Sequence, residues 1–295
     1  MRRTRDKLLA VACLAPSAVL LIGVIFYPIL QTFWASFCNV DRKGIPVSFG
    51  TLQNFRELWA SHVFTGDIIP QTLIWTAAVV GGTMVISMFV ALALNEQLPG
   101  RRLMRAIVLL PWATSLVITA AIFKWMLSPT QGPINGLLRG WGIADSPPAW
   151  LARPELAFAS VIAVGIWVSI PFTATVLLAG LQAIPDELHE AAVIDGAGAW
   201  QRFRCVTLPL LKPVLTVAVV LNVIYVFNSF PIIWILTEGG PANQTHIIVT
   251  YLYKVAIWER EYGQGYAMAL LTFAFLTAFA IGYTLVFGRE EVDRM

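Results

Sequence analysis

Residues 156–184 read LAFASVIAVGIWVSIPFTATVLLAGLQAI, a run with no Asp, Glu, Lys, Arg or His. About 20 consecutive apolar residues carry a helix across the hydrocarbon core of a bilayer, and this run exceeds that length. A backbone in lipid must satisfy its own hydrogen bonds, so the stretch predicts a membrane-spanning helix. Five further runs of the same character flank it, over residues 8–40, 68–94, 106–124, 213–237 and 262–288. The third is the shortest and ends in Lys124, whose long side chain can snorkel to the interface. The first follows Met1-Arg2-Arg3-Thr4-Arg5-Asp6-Lys7, as the core of a signal peptide would. Its apolar stretch is too long for that role, which takes about 7–15 residues, so it reads as a retained span. The expected fold is an all-α integral membrane protein of six transmembrane helices, one domain over 1–295, helical throughout.

Composition agrees. Of 295 residues, 58% are hydrophobic and 13% charged, with mean hydropathy +0.72, whereas a soluble domain carries about 25% charged residues. A net charge of +3 is too small to point to nucleic acid. Cys13, Cys38 and Cys205 are far apart and odd in number, which gives neither a disulfide framework nor a metal spacing. With the N-terminus inside, the inner segments hold twelve of the Lys and Arg residues and the longer outer segments seven. The positive-inside rule then places both termini in the cytoplasm. The outer segment after Leu127 is rich in Pro and Gly and carries Trp141 and Trp150, residues suited to the membrane interface.

Several chemistries are excluded. No Gly-Lys dipeptide exists among the five lysines, so the phosphate-cradling loop of an ATPase is missing. His189-Glu190 opens like a zinc-protease motif, but Val193 occupies the second histidine position. No metal site is expected. The runs hold no Asp, Glu, Arg or His. Ion-coupled carriers and membrane enzymes usually keep such groups inside the membrane, so the energy for any transport must come from another chain.

Directly after the run quoted first, residues 185–209 read PDELHEAAVIDGAGAWQRFRCVTLP. Pro185 and the acidic residues behind it suit a helix N-terminus, and Gly196 suits a left-handed helix stop. Leu188, Ala191, Ala192 and Asp195 share one helical face. A second short helix then carries Trp200, Phe203 and Thr207 on one side. The segment resembles the Glu-Ala-Ala loop of the permease subunits of binding-protein-dependent ABC importers: Glu-Ala-Ala, three residues, Gly, nine residues, an aliphatic residue, one residue, Leu-Pro. Glu190, Ala191, Ala192, Gly196, Val206, Leu208 and Pro209 fill that pattern, with Asp195 and Ala197 also matching. A second ordered set is similar to the carbohydrate-type members of the maltose and glycerol-3-phosphate importer group. It comprises Leu236 to Thr245 with its Gly239-Gly240-Pro241 turn, then Tyr251-Leu252-Tyr253, then Gly265-Tyr266-Ala267-Met268-Ala269.

The resemblance implies a type I ABC importer permease of a bacterial inner membrane, with residues 185–209 as the cytoplasmic element that docks on an ATPase. It implies as partners a second homologous permease subunit, two copies of the ATPase, an extracytoplasmic solute-binding protein and membrane lipid. No cofactor is expected on this chain, since ATP and Mg would sit on the ATPase. A sugar presents hydroxyls and apolar faces, so its path needs neutral hydrogen-bonding groups and aromatic rings. The fourth and fifth runs offer Gly165, Trp167, Ser169, Phe172, Thr173, Asn222, Tyr225, Asn228 and Ser229, with Pro171 and Pro231 placed to kink both spans. Each of these residues reads equally as interhelical packing, a common use of Gly, Ser, Thr and Asn in membranes. An amino-acid or phosphate importer is the alternative substrate class, and an ion-coupled carrier or membrane enzyme the alternative mechanism.

Overall fold

The structure, a computed structural model, describes residues 13–96, 99–144 and 146–287. The N-terminal basic residues, Arg289 and Arg294, which enter the charge count, lie outside that range, as do residues 8–12, 97, 98 and 288. Among the described residues, five helices are long and apolar enough to cross a membrane. These are α1 (Cys13–Ser36), α3 (Val63–Asn95), α7 (Pro154–Gln182), the segment Ala199–Thr237, whose uncharged run begins only after Lys212, and α13 (Tyr262–Phe287). A sixth crossing exists if the pair α4 (Arg101–Ala113) and α5 (Leu116–Met126) counts as one span, but the two meet at 94°.

That bend corrects the third expected span, which does not run as a single helix over 106–124. Pro111 lacks an N–H and tightens the end of α4 into a 3₁₀ turn, and Thr114 and Ser115 are then extended. The Thr114 hydroxyl donates to Pro111 O (2.9 Å) and lies 2.8 Å from the Thr119 hydroxyl, which fastens the corner. The expectation of a chain helical throughout is also corrected. After α1, strands β1 (Cys38–Val40) and β2 (Pro46–Phe49) form an antiparallel hairpin. Asp41 builds its turn, its carboxylate accepting from the N–H groups of Lys43 and Ile45 at 2.9 and 2.8 Å.

The described chain forms two compact units. In the unit of residues 13–65 and 252–274, α2 (Gln53–Ala60) follows the hairpin. The buried Asn54 donates to Ser36 O and Cys38 O, both at 2.9 Å, and so joins α2 to the end of α1. Gly263 lies against the same amide; a Cβ there would come within 2.3 Å of its oxygen. Helix α1 itself buries nothing in its most apolar window.

In the unit of residues 66–251 and 275–287, α3 and α7 pack along their length. Small residues set the approach: a Cβ on Gly165 would lie 2.5 Å from the Trp75 ring. Trp75 donates from Nε1 to Val226 O at 2.9 Å, which ties α3 to α10 (Leu208–Phe227). Val161, Val164, Val168, Val223 and Ile233 close this core. A second cluster at the other end of the same helices holds Ala91, Leu177, Leu181 and Leu211. Short helices in this unit include α6 (Pro133–Gly140), α8 (Asp186–Ile194) and α9 (Ala199–Arg202). The fifth crossing is interrupted at Asn228 and Ser229, after which α11 (Phe230–Thr237) starts with Pro231 in its first turn. Helix α12 (Ile248–Trp258) follows the loop behind it.

Candidate functional site

Two sets of residues singled out in the sequence can be placed in the structure. The first is the segment between α7 and α10. Pro185 caps α8 in an extended conformation, and Asp186 and Glu187 occupy the first turn, where the helix dipole favours anions. The helix stops at Gly196, whose φ of +76° is left-handed. Ala197 N–H donates to Ala192 O (2.9 Å) and Gly196 N–H to Val193 O (3.0 Å), the paired bonds of a Schellman closure. Gly198 then starts α9, its N–H donating to Gln201 Oε1 at 2.9 Å. A π-helical turn, Phe203–Thr207, leads into α10, with Trp200 stacked on Phe203 at 5.6 Å.

No residue of α8 or α9 is buried. Ile194 is 86% exposed and Trp200 70%, and Leu188, Val193 and Leu208 are exposed beside them. An apolar surface of this kind outside a span marks a contact with another molecule. Glu190, Ala191, Asp195, Gly196 and Pro209 lie open on the same segment, with Ala192 and Ala197 half-buried.

The second set lies where α7 passes α10, and the structure divides it. Asn222, 2% exposed, donates from Nδ2 to Thr173 Oγ1 (3.0 Å) and Ala218 O (2.9 Å). The Thr173 hydroxyl has Ser169 O (3.0 Å) and Asn222 Oδ1 (3.2 Å) within reach, two acceptors for one proton. Ser169 donates to Gly165 O at 2.8 Å. Gly165, Ser169, Thr173, Asn222 and Ser229 are therefore buried between helices, with the Asn222 amide partnered inside the chain. Trp167, Tyr225 and Asn228 are exposed, Tyr225 at 44%, and Phe172 is half-buried against Trp112. Asn222 and Tyr225 are three residues apart, yet the small angular offset between them takes one into the interface and the other out of it.

Sequence reasoning missed three participants. Trp75 was legible as a tryptophan well inside an apolar run, away from the interfaces that residue prefers. Gln71 and Thr72 were not legible, because their partners are some 170 residues away. The Thr72 hydroxyl donates to Ile68 O (2.6 Å) and accepts from Ile248 N–H (2.9 Å). With its amide oriented by its acceptors, Gln71 donates to His246 O (2.8 Å) and Asn243 O (3.0 Å). These bonds hold the loop of residues 238–247, where Glu238, Ala242 and Asn243 adopt left-handed backbone that non-glycine residues rarely accept. Among the described residues no group of His, Cys, Asp or Glu could hold a metal ion.

The family model for binding-protein-dependent transport system inner membrane components matches residues 83–289. A probable ABC transporter permease protein of Brucella suis biovar 1 is 44% identical over 97% of this chain and 99% of its own length. The trehalose/maltose transport system permease protein of Thermococcus litoralis is 37% identical over 98% of this chain and 96% of its own. A crystal structure of a bacterial alginate ABC transporter, in complex with an alginate pentasaccharide-bound periplasmic protein, contains a chain that superposes with TM-score 0.81. That chain is 26% identical, and the match covers 95% of this chain and 94% of the other.

Proposed function

The chain belongs to the family of binding-protein-dependent transport system inner membrane components, and from that premise we propose that it forms half of the path by which a sugar or sugar derivative is imported. It is a multi-pass membrane permease subunit of an ABC importer, a transport component and not an enzyme. The substrate class is supported by the relatives that carry trehalose/maltose and alginate. It is supported also by spans whose polar groups are neutral amides, hydroxyls and aromatic rings.

The observation that carries the mechanism is the segment between α7 and α10, an exposed apolar knob whose backbone is closed on itself. Residues 185–209, and in them Glu190, Ala191, Ala192, Asp195, Gly196, Ala197, Leu208 and Pro209, dock on an ATPase subunit. A stroke of the ATPase then moves α7 and α10 together, because the knob is continuous with both. ATP and Mg sit on that partner, in two copies, and a second homologous permease completes the path. An extracytoplasmic binding protein delivers the solute. Both termini and the knob are cytoplasmic.

Along the path, Trp167, Tyr225 and Asn228 face the solute with Phe172. Gly165, Ser169, Thr173, Asn222 and Ser229 fix the spacing of the helices behind them. The test is reconstitution in liposomes with the ATPase, the second permease and a labelled oligosaccharide on the cognate binding protein. ATP-dependent uptake of the sugar is expected, and neither amino acid nor phosphate should be carried. Uptake driven by an ion gradient without the ATPase would overturn the reading.

A further inference from the structure

Arg101 and Arg105 stand four residues apart on α4, one above the other on the same helix face. With the Gln182 amide oriented by its donors, its Oε1 accepts from Arg101 Nη2 at 2.7 Å and Arg105 Nη2 at 2.8 Å. Two cations thus converge on one neutral oxygen. Among the described residues neither guanidinium reaches a carboxylate, and the Nε atoms of both are buried without a partner. Buried N–H donors are almost always satisfied, and paired guanidiniums match the several oxygens of a phosphate.

Their position says which phosphate. Leu94 is in the last turn of α3 and Gln182 is the last residue of α7, so two crossings end at this point. Beside the arginines opens a groove of about 220 Å³, lined by Leu94, Val108, Leu109, Leu178 and Ala179. Helix α4 turns at 94° from α5, and Leu103, Ile107 and Leu110 are exposed along it. A helix that is basic in its first turns and apolar on its outer face, running beside α7 where two crossings end, suits the headgroup layer.

We propose that Arg101, Arg105 and Gln182 hold the phosphate of an anionic phospholipid, with one acyl chain laid along the groove. A soluble anion would share the arginines but would have no use for the leucines. The inference is independent of which solute the transporter carries.

Native mass spectrometry of the assembled transporter in mixed micelles of phosphatidylglycerol and phosphatidylcholine tests it. The unmodified protein is expected to retain phosphatidylglycerol selectively. The double variant Arg101→Gln/Arg105→Gln should lose about 10-fold or more of that occupancy, the size of a lost charge-assisted pair. Arg102→Gln, on an exposed residue of the same helix, should lose none. Should the double variant fail to assemble, Ala179→Trp fills the groove and leaves both arginines, and it too should expel the lipid. Equal phosphatidylglycerol occupancy in these variants and the unmodified protein overturns the proposal. So does an adduct of added inorganic phosphate that displaces the lipid and depends on the same two arginines.

Discussion

At the scale of single residues, position 196 separates shape from space. A Cβ on Gly196 would meet nothing within 4 Å, so only its φ of +76° restricts the side chain. A β-branched residue there costs about 1–3 kcal/mol in backbone strain, whereas Asn accepts the left-handed region. Gly196→Val should therefore reduce uptake and substrate-stimulated ATP hydrolysis together at unchanged membrane level, and Gly196→Asn should restore both. Full transport by Gly196→Val would mean that the segment is not the coupling element. Asn222 and Tyr225 give a second contrast. Asn222→Ala removes a buried interhelical bond worth about 1 kcal/mol, so it should lower the thermal stability of the complex. Tyr225→Ala removes an exposed ring and should lower uptake while stability holds. Equal loss of stability in the two variants would assign Tyr225 to packing.

Among elements, the pairing of α3 with α7 depends on glycine at one point more than another. The Trp75 ring that faces Gly165 is held by its bond to Val226 and cannot give way. Gly165→Ala should destabilise the complex by about 1–3 kcal/mol through overpacking. Gly81→Ala, with nothing within 4 Å of the new methyl, should leave the melting temperature unchanged or raise it. The reverse order would show that α3 and α7 do not meet at Gly165 in the membrane. Elements differed in how legible they were. The long crossings could be read because a bilayer imposes a minimum apolar length, and Gly196 because a helix stop is a local event. The corner at Thr114 was hidden: Pro111 alone permits a kink or a full turn, and a hydroxyl pair formed after folding decides between them. The hairpin after α1 escaped notice because hydropathy runs unbroken into Val40. The neutral polar residues of α7 and α10 stand out in the sequence, but burial, which parts Asn222 from Tyr225, depends on the angle at which two helices meet.

For the whole molecule, sidedness is the first quantity to measure. In a variant free of Cys13, Cys38 and Cys205, single cysteines at Gln131 and Ser146 should react with an impermeant maleimide in spheroplasts. One at Glu187 should react only after lysis. The opposite pattern would invert the topology and detach the knob from any cytoplasmic ATPase. The knob itself has a wider implication. Its contour is fixed by main-chain bonds from Ala197 to Ala192 and from Gly196 to Val193, so few side chains are needed to maintain it. Such a plug can change its outward lettering while keeping its gauge. Lineages could retune which motor they accept by altering Leu188, Ile194 or Trp200, with the backbone of the joint left as it stands.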